Sequence, residues 1–262
     1  MKTIDHSRLK EIQVEILDCV DEFCKKEGLG YFLGYGTLIG AVRHEGYIPW
    51  DDDIDLVMKR EEYEKFIERF NRSQSLYQVY TCHNTKWFPF PYAKVAKTDT
   101  VLMEENDNMT EEIGVNIDLF PLDYLPQDLK VQKKMKMLYQ YLMLKSIRIH
   151  EKRSFVKNLI LKVGKILLKN KSAHSIALQM DRLAKEGPKV EDRMGNLVFT
   201  DKSTDYASSS AFGRSLEGKF EGKTYPIPEG YDEWLQNYYR EYMQLPKEEN
   251  RISHHQFIAY EK

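Results

Sequence analysis

The stretch Pro49-Trp50-Asp51-Asp52-Asp53-Ile54-Asp55-Leu56-Val57 decides how the chain is read. Ile54 to Met58 alternates and is partly β-branched, which predicts a strand with acids on one face. Residues two apart in a strand point the same way, so Asp53 and Asp55 would share a face, about 7 Å apart along the chain. Four acids within five residues repel one another, and beside an apolar strand that crowding is unfavourable unless a cation or hydrogen bonds offset it. Magnesium is the simplest remedy, with manganese as the alternative ion, because magnesium is held by one or two carboxylates and completed by water and substrate phosphates. Two other readings stand beside this one: an Asp-rich surface turn, and a calcium loop with Asp51, Asp53, Asp55 and Glu62 at positions one, three, five and twelve. Leu56 occupies the position where such a loop requires glycine.

Upstream lies Gly34-Tyr35-Gly36-Thr37-Leu38-Ile39-Gly40. Glycines followed by a hydroxyl at a helix start bring backbone N–H groups against a phosphate. The signal is weak by itself, since glycines also mark ordinary turns, and it gains force from the acids that follow. A third carboxylate is expected on a neighbouring strand. Gly114-Val115-Asn116-Ile117-Asp118-Leu119-Phe120-Pro121-Leu122-Asp123 offers Asp118, an acid flanked by apolar residues, with Asp123 as the fallback. The alternative for Asp118 is a satisfied buried acid capping a turn.

Working outward, Leu9, Ile12, Ile16, Val20 and Phe23 recur at helical spacing between Asp5 and Glu27, and Gly28 is a natural stop. Tyr31 to Leu33 reads as a strand, Thr37 to Arg43 as a brief helix, and Glu61 to Asn71 as a helix with Tyr63, Phe66, Ile67 and Phe70 inward. Further strands are predicted at 76–81, 92–96, 100–104 and 115–119. After Pro126 long Lys-rich helical patterns run to about Glu186, and beyond Leu197 short strands and turns precede a helix from Tyr231 to about Met243. Strands interleaved with helices predict an α+β fold: a mixed sheet with flanking helices in a core over 1–125, an appended basic helical region over 126–190, and a C-terminal region over 191–262 packing back on the core.

Charge is nearly balanced, 39 Lys+Arg against 41 Asp+Glu, so bulk attraction to nucleic acid is not suggested. Between Lys130 and Lys171, however, thirteen basic residues face one acid, Glu151. The apolar residues Leu142, Ile149, Leu159, Val163, Ile166 and Leu167 recur among them, and a positive amphipathic surface can lie against anionic lipid; a solvated bundle face is the alternative. Cys19, Cys24 and Cys82 form no CxxC pair, the N-terminus lacks signal-peptide character, and no apolar run spans a bilayer. These features predict a soluble, cytoplasmic protein, peripheral to the inner face of the membrane if the basic helices engage lipid.

The run Gly36 to His44, followed by Ile48-Pro49-Trp50-Asp51-Asp52-Asp53-Ile54-Asp55, closely resembles the LicD family of phosphorylcholine transferases, relatives of fukutin-like enzymes with a DNA-polymerase-beta-like nucleotidyltransferase fold. The likeness takes in Ala93-Lys94-Val95 with Asp99, the Ile117 to Asp123 run and the tail from Tyr225 to Pro246. It implies phosphate contact at Gly36 and Thr37 and metal ligation by Asp53, Asp55 and Asp118. It also implies transfer of a substituted phosphate, often phosphocholine from CDP-choline, to a sugar hydroxyl of a glycan or lipid-linked glycan such as a teichoic acid or lipopolysaccharide precursor. On that reading an acceptor hydroxyl attacks the phosphorus in line, cytidine monophosphate leaves, and Asp118 takes the hydroxyl proton.

Around these acids Arg43 is a candidate phosphate clamp or a solvated side chain, and Lys94 a candidate partner for the donor's diphosphate or an exposed lysine. His44 is expected to be hydrogen-bonded to a loop, with assistance in proton transfer as the alternative. Trp50 is a candidate binding residue: with Trp87, Phe88 and Tyr92 it could offer aromatic faces to a choline cation, although aromatics in that number more often form core. His254 and His255 are expected to make tail contacts only. A nucleotidyltransferase using a nucleoside triphosphate on a small molecule, and a non-catalytic calcium- or glycan-binding module, are the rival functions.

Overall fold

A computed structural model describes residues 2–73, 76–104, 113–146, 155–199, 202–252 and 257–262. Ile149, His254, His255 and the side chain of Lys157 lie outside what is described. The first half runs β1 (Lys2–Ile4), α1 (His6–Glu27), β2 (Phe32–Leu33), α2 (Tyr35–Arg43), β3 (Asp55–Lys59), α3 (Arg60–Ser73), β4 (Tyr77–Tyr80), β5 (Ala93–Lys97), β6 (Thr100–Glu104) and β7 (Asn116–Pro126). Helices α4 (Leu129–Ser146), α5 (Phe155–Leu167) and α6 (Ala173–Lys185) follow. The chain closes with β8 (Lys189–Gly195), β9 (Tyr206–Ser208), β10 (Ser215–Phe220), β11 (Lys223–Pro228), α7 (Tyr231–Tyr239) and β12 (Phe257–Glu261).

The expected mixed sheet and flanking helices are present. Its strand order is β2-β3-β7-β5-β4, with β3 parallel to β7 and the other pairings antiparallel. Strand β7 is longer than the predicted 115–119: its first part pairs with β3 and β5, and its last residues pair with β8, which carries β9. The C-terminal region therefore adds strands to the same sheet, and β8 runs across the expected boundary at residue 190. Strand β6 lies elsewhere, in a three-stranded sheet with β12 and β1. Helix α7 stops at Tyr239, short of the expected Met243.

Helix α1 forms where its period and caps predict. The Asp5 carboxylate accepts from the N–H of Arg8 at 2.8 Å, and Gly28, at φ 67°, ends the helix in the left-handed region. Phe23 sets its ring edge-on against Phe66 and Phe70 of α3, so the two helices lie side by side on one face of the sheet. On the other face Tyr35, Tyr92, Phe120, Phe199 and Trp234 form a connected aromatic layer. Because neighbours in a strand alternate, Asp118 shares the face of Phe120 and Asp123 does not.

Helix α6 is fastened to the core by a buried ionic cluster. Arg60 donates to both oxygens of Asp123, at 2.8 and 2.6 Å, and to Asp181 at 2.8 Å; Lys185 and His83 also reach Asp181, each at 2.7 Å. Asp123 is thereby committed to Arg60. Burial favours a neutral Asp181, but its hydrogen bond with His83 and the charges of Arg60 and Lys185 prevail and hold it at about 2. The bond to Asp181 pushes His83 up to about 10.

Replacing Asp181 by Ala leaves Arg60 buried without one of its counter-charges and should cost about 3–5 kcal/mol in urea denaturation. The raised pKa of His83 stabilises the fold fully below its ordinary 6.5, and that contribution is lost as pH rises through about 10. The depressed pKa of Asp181 acts above its ordinary 3.8 and is lost as pH falls through about 2. Melting temperature should therefore decline between pH 6.5 and 10, and His83→Gln should flatten that decline.

Candidate functional site

Strand β2 delivers the chain to the acids. It pairs with β3 through Phe32↔Val57 and Leu33↔Leu56, and the next N–H, of Gly34, donates to the carbonyl of Asp55 at 2.8 Å. Gly34 then serves as N-cap of α2, whose first residues are Tyr35, Gly36 and Thr37. The hydroxyl of Thr37 accepts from the N–H of Asp55 at 2.9 Å. Both backbone groups of Asp55 are thus held by the turn that opens α2, and Thr37 is itself buried. Gly36 lies under Asp51: a Cβ there would sit 2.5 Å from the carboxylate, so any side chain at 36 displaces that acid.

Asp55 and Asp118 are register partners on the parallel strands β3 and β7, and Lys94 on β5 is the partner of Asp118 on its other side. The three side chains form a row across the sheet. Lys94 Nζ lies 2.5 Å from Asp118 Oδ1 and 3.1 Å from Asn116 Oδ1, and it sits over the rings of Phe90 and Tyr92. Asp118 is the acid beside Asp55, whereas Asp123 is on the opposite face with Arg60.

The strand starts at Asp55, one residue later than predicted, so Asp53 precedes the strand and the two-residue alternation does not set its direction. Proximity survives by another route. Oxygens of Asp51, Asp52 and Asp53 lie within 4.8 Å of one another, and Asp53, Asp118 and Asp51 all act on Asp55. Burial, then the charge and hydrogen bond of Asp53, push Asp51 up to about 8. Burial, followed by the charges of Asp53, Asp118 and Asp51, pushes Asp55 well above the carboxylate range, with Lys94 opposing. Asp52 is buried, so Asp51, Asp53 and Asp55 are the members of the acidic run that line the open cleft, and Glu241 joins them from the opposite side.

That cleft has a volume of about 560 Å³. Gly36, Arg43, Trp50 and the three acids form one wall, and Tyr239, Glu241, Tyr242 and Gln244 the other. The sequence marks this segment through the predicted helix and the family-like tail to Pro246, but nothing in it assigns Tyr239 to Gln244 to the cleft. Arg43 holds this wall in place, donating to the carbonyls of Tyr242 and Gln244, the latter at 3.4 Å, and to His44 at 2.9 Å. It is half-buried, engaged by this wall, and lines the cleft as well. Burial and the Arg43 charge push His44 down, in keeping with its role as acceptor.

The four aromatics Trp50, Trp87, Phe88 and Tyr92 do not meet in one box. Phe88 and Tyr92 are buried, Trp87 packs on Tyr80 and Phe88, and Trp50 alone of the four lines the cleft, with Arg251 over its ring. The calcium loop also fails: its fifth ligand position begins a strand, and Glu62 is turned away, accepting from the N–H of Gly30 at 2.8 Å.

Comparison with known proteins shows the family. The model for the nucleotidyltransferase domain of LicD, FKTN and FKRP matches residues 28–161, a span that contains Gly36, Thr37, Asp53, Asp55, Lys94 and Asp118. Across 96% of this chain and 97% of the relative, the protein is 31% identical to the lipopolysaccharide cholinephosphotransferase LicD of Haemophilus influenzae. Uncharacterized proteins of Rickettsia prowazekii and Rickettsia typhi are 40% identical over 48 residues, 18% of this chain and 18% and 16% of theirs. The protein belongs to the LicD/FKTN/FKRP family.

Proposed function

We propose that this protein transfers phosphocholine, or a similar substituted phosphate, from a CDP-linked donor such as CDP-choline to a sugar hydroxyl of a cell-surface glycan precursor, of the lipopolysaccharide or teichoic acid kind. The observation that carries the reading is the cross-strand pair Asp55 and Asp118, with Asp51 and Asp53 at the mouth and the N-terminus of α2 alongside. The activity for which the Haemophilus relative is named, together with its nearly end-to-end alignment, supports phosphocholine as the group moved. The three free cysteines support a reducing, cytoplasmic setting.

Magnesium, or manganese in its place, fits the donor set. The groups offered are hard carboxylate oxygens, and burial followed by their mutual repulsion pushes Asp51 and Asp55 up, with Lys94 only partly opposing at Asp55. Asp53, Asp55 and Asp118 would hold the ion, which when bound supplies positive charge for the entering and leaving oxygens of an in-line displacement. The remaining work belongs to the chain. The N–H groups at Gly36 and Thr37 orient a phosphate oxygen at the positive end of α2. Asp118 accepts the proton of the acceptor hydroxyl. Lys94 steadies Asp118 and offsets charge beside the phosphates, and Trp50 offers an aromatic face to the cationic head group.

Transfer of a nucleotide is the second reading, favoured by the nucleotidyltransferase description of the family domain. Products separate the two. Incubation with CDP-choline, magnesium and a sugar acceptor should release cytidine monophosphate, and no consumption of any CDP-linked donor would sink the proposal. Release of pyrophosphate from a nucleoside triphosphate would support the second reading instead. Asp55→Asn and Asp118→Asn should each lower kcat by about 10²–10³-fold with an unchanged circular dichroism spectrum. At about a hundredfold excess over its dissociation constant, magnesium should stabilise the wild type by about 2.7 kcal/mol, and this increment should vanish in the Asp53→Asn, Asp55→Asn double variant.

A further inference from the structure

Helix α5 is apolar on two opposite sides. Leu161, Gly164 and Leu168, spaced three and four apart, form the packed side: the two leucines are buried, and a Cβ on Gly164 would come within 2.6 Å of Leu144 on α4. Lys165 is anchored there as well, donating to the carbonyl of Lys145 at 3.3 Å. The other side carries Leu159, Val163, Ile166 and Leu167, again three and four apart, with 50%, 49%, 64% and 79% of their surfaces exposed. Four large aliphatic side chains in one stripe are costly to leave in water.

The charge around this stripe selects its partner. Neither α4 nor α5 contains an aspartate or glutamate, while Lys130, Lys133, Lys134, Lys136 and Lys162 lie exposed on them and Lys169 and Lys171 follow. A surface that is apolar along one line and cationic beside it matches the boundary between anionic head groups and acyl chains, where leucine and isoleucine enter the hydrocarbon edge and lysines stay among phosphates. A protein partner would need an apolar ridge surrounded by acids. No helix among the described residues is long and apolar enough to cross a membrane, so the contact is one of lying on the surface.

We propose that α5 is a membrane-docking helix, inserting Leu159, Val163, Ile166 and Leu167 into the surface of a bilayer rich in anionic phospholipid while Lys162, Lys169 and Lys171 engage the head groups. This inference rests on the exposed stripe and not on the transferase reading; if both hold, the cleft works beside a lipid-linked acceptor.

The test is flotation of the purified full chain with vesicles of phosphatidylcholine alone or of equimolar phosphatidylcholine and phosphatidylglycerol. The wild type should bind the anionic vesicles at least about tenfold more tightly, and high salt should weaken that binding. Ile166→Glu with Leu167→Glu should lower the affinity at least about tenfold. Lys162→Glu, Lys169→Glu and Lys171→Glu together should abolish the preference for anionic lipid. All altered side chains are exposed, and unchanged melting curves will verify folding. Activity of these variants on a water-soluble sugar acceptor should stay at the wild-type level, so a failed transferase reading would leave the vesicle result intact. Equal flotation of the wild type and the glutamate variants would overturn the proposal. A wild-type dimer that the same substitutions split, without vesicle binding, would overturn it too by identifying a second copy as the occupant of the stripe.

Discussion

Two carboxylates held abreast on adjacent parallel strands repel each other, and the surrounding structure is arranged to make that pairing unavoidable. The register of β3 against β7 decides it, because a slip of one residue would turn Asp118 to the helix-covered face. Apolar residues on both strands fix the register. Leu56, Val57 and Met58 on β3 and Leu119, Phe120 and Leu122 on β7 are all buried, so a slip would place Asp118 among side chains with nothing to offset its charge. The N–H of Asp118 adds a bond to the carbonyl of Ile54 at 2.9 Å, and Gln13 of α1 donates to the carbonyl of Asp52 at 3.0 Å. Helix α1 thus restrains the acidic run from the side, and the free energy that offsets the crowding comes from the apolar core around it.

The site also depends on the far end of the chain. Tyr35 opens α2 at φ 43°, a left-handed conformation that is costly for any residue with a side chain. Its hydroxyl donates to Asp205 at 2.9 Å and accepts from Asn196 at 2.9 Å, while the indole of Trp234 donates to Asp205 at 3.1 Å. These buried bonds hold a strained turn immediately before Gly36 and Thr37. The C-terminal region contributes the second wall of the cleft through Tyr239 to Gln244, tied down by Arg43. Residues 28–161 match the family domain, yet the cavity closes only with side chains from beyond residue 200.

What was legible in the sequence follows from what is local. Helix α1 announced itself through period and caps, and β3 through an apolar run beside acids. The pairing of Asp55 with Asp118 could be anticipated in kind, since an acid between apolar neighbours needs a partner, but which acid supplies it depends on strand parity and on Arg60 claiming Asp123. Arg43 and Thr37 have side chains suited to phosphate, and the sequence holds no sign that a carbonyl pair and the Asp55 N–H engage them. Strands β1 and β12 are short, and their partners are separated by nearly the whole chain, so no periodicity reveals them. The four aromatics are scattered, as the core reading of so many rings predicts: Phe88 and Tyr92 pack in the interior against Phe90, Phe120 and Phe199.

The formal net charge of −2 conceals a strong segregation. The cleft presents Asp51, Asp53 and Asp55 with Asp118 behind, offset by Lys94 and at longer range by Lys10. On the proposed function, an anionic diphosphate donor approaching that many carboxylates would be repelled unless positive charge arrived with it, so a cation would be a condition of binding as well as an aid to the displacement. The basic helices cannot fulfil this role. Among the described residues none of α4 or α5 lines the cleft, and in 0.15 M salt the influence of an exposed lysine fades over about 8 Å, so those charges act chiefly on whatever touches the two helices. If both proposals hold, acid and base are separated by function: the acids gather where a cation would bridge them to a phosphate, and the lysines gather beside an apolar stripe where an anionic surface would satisfy both.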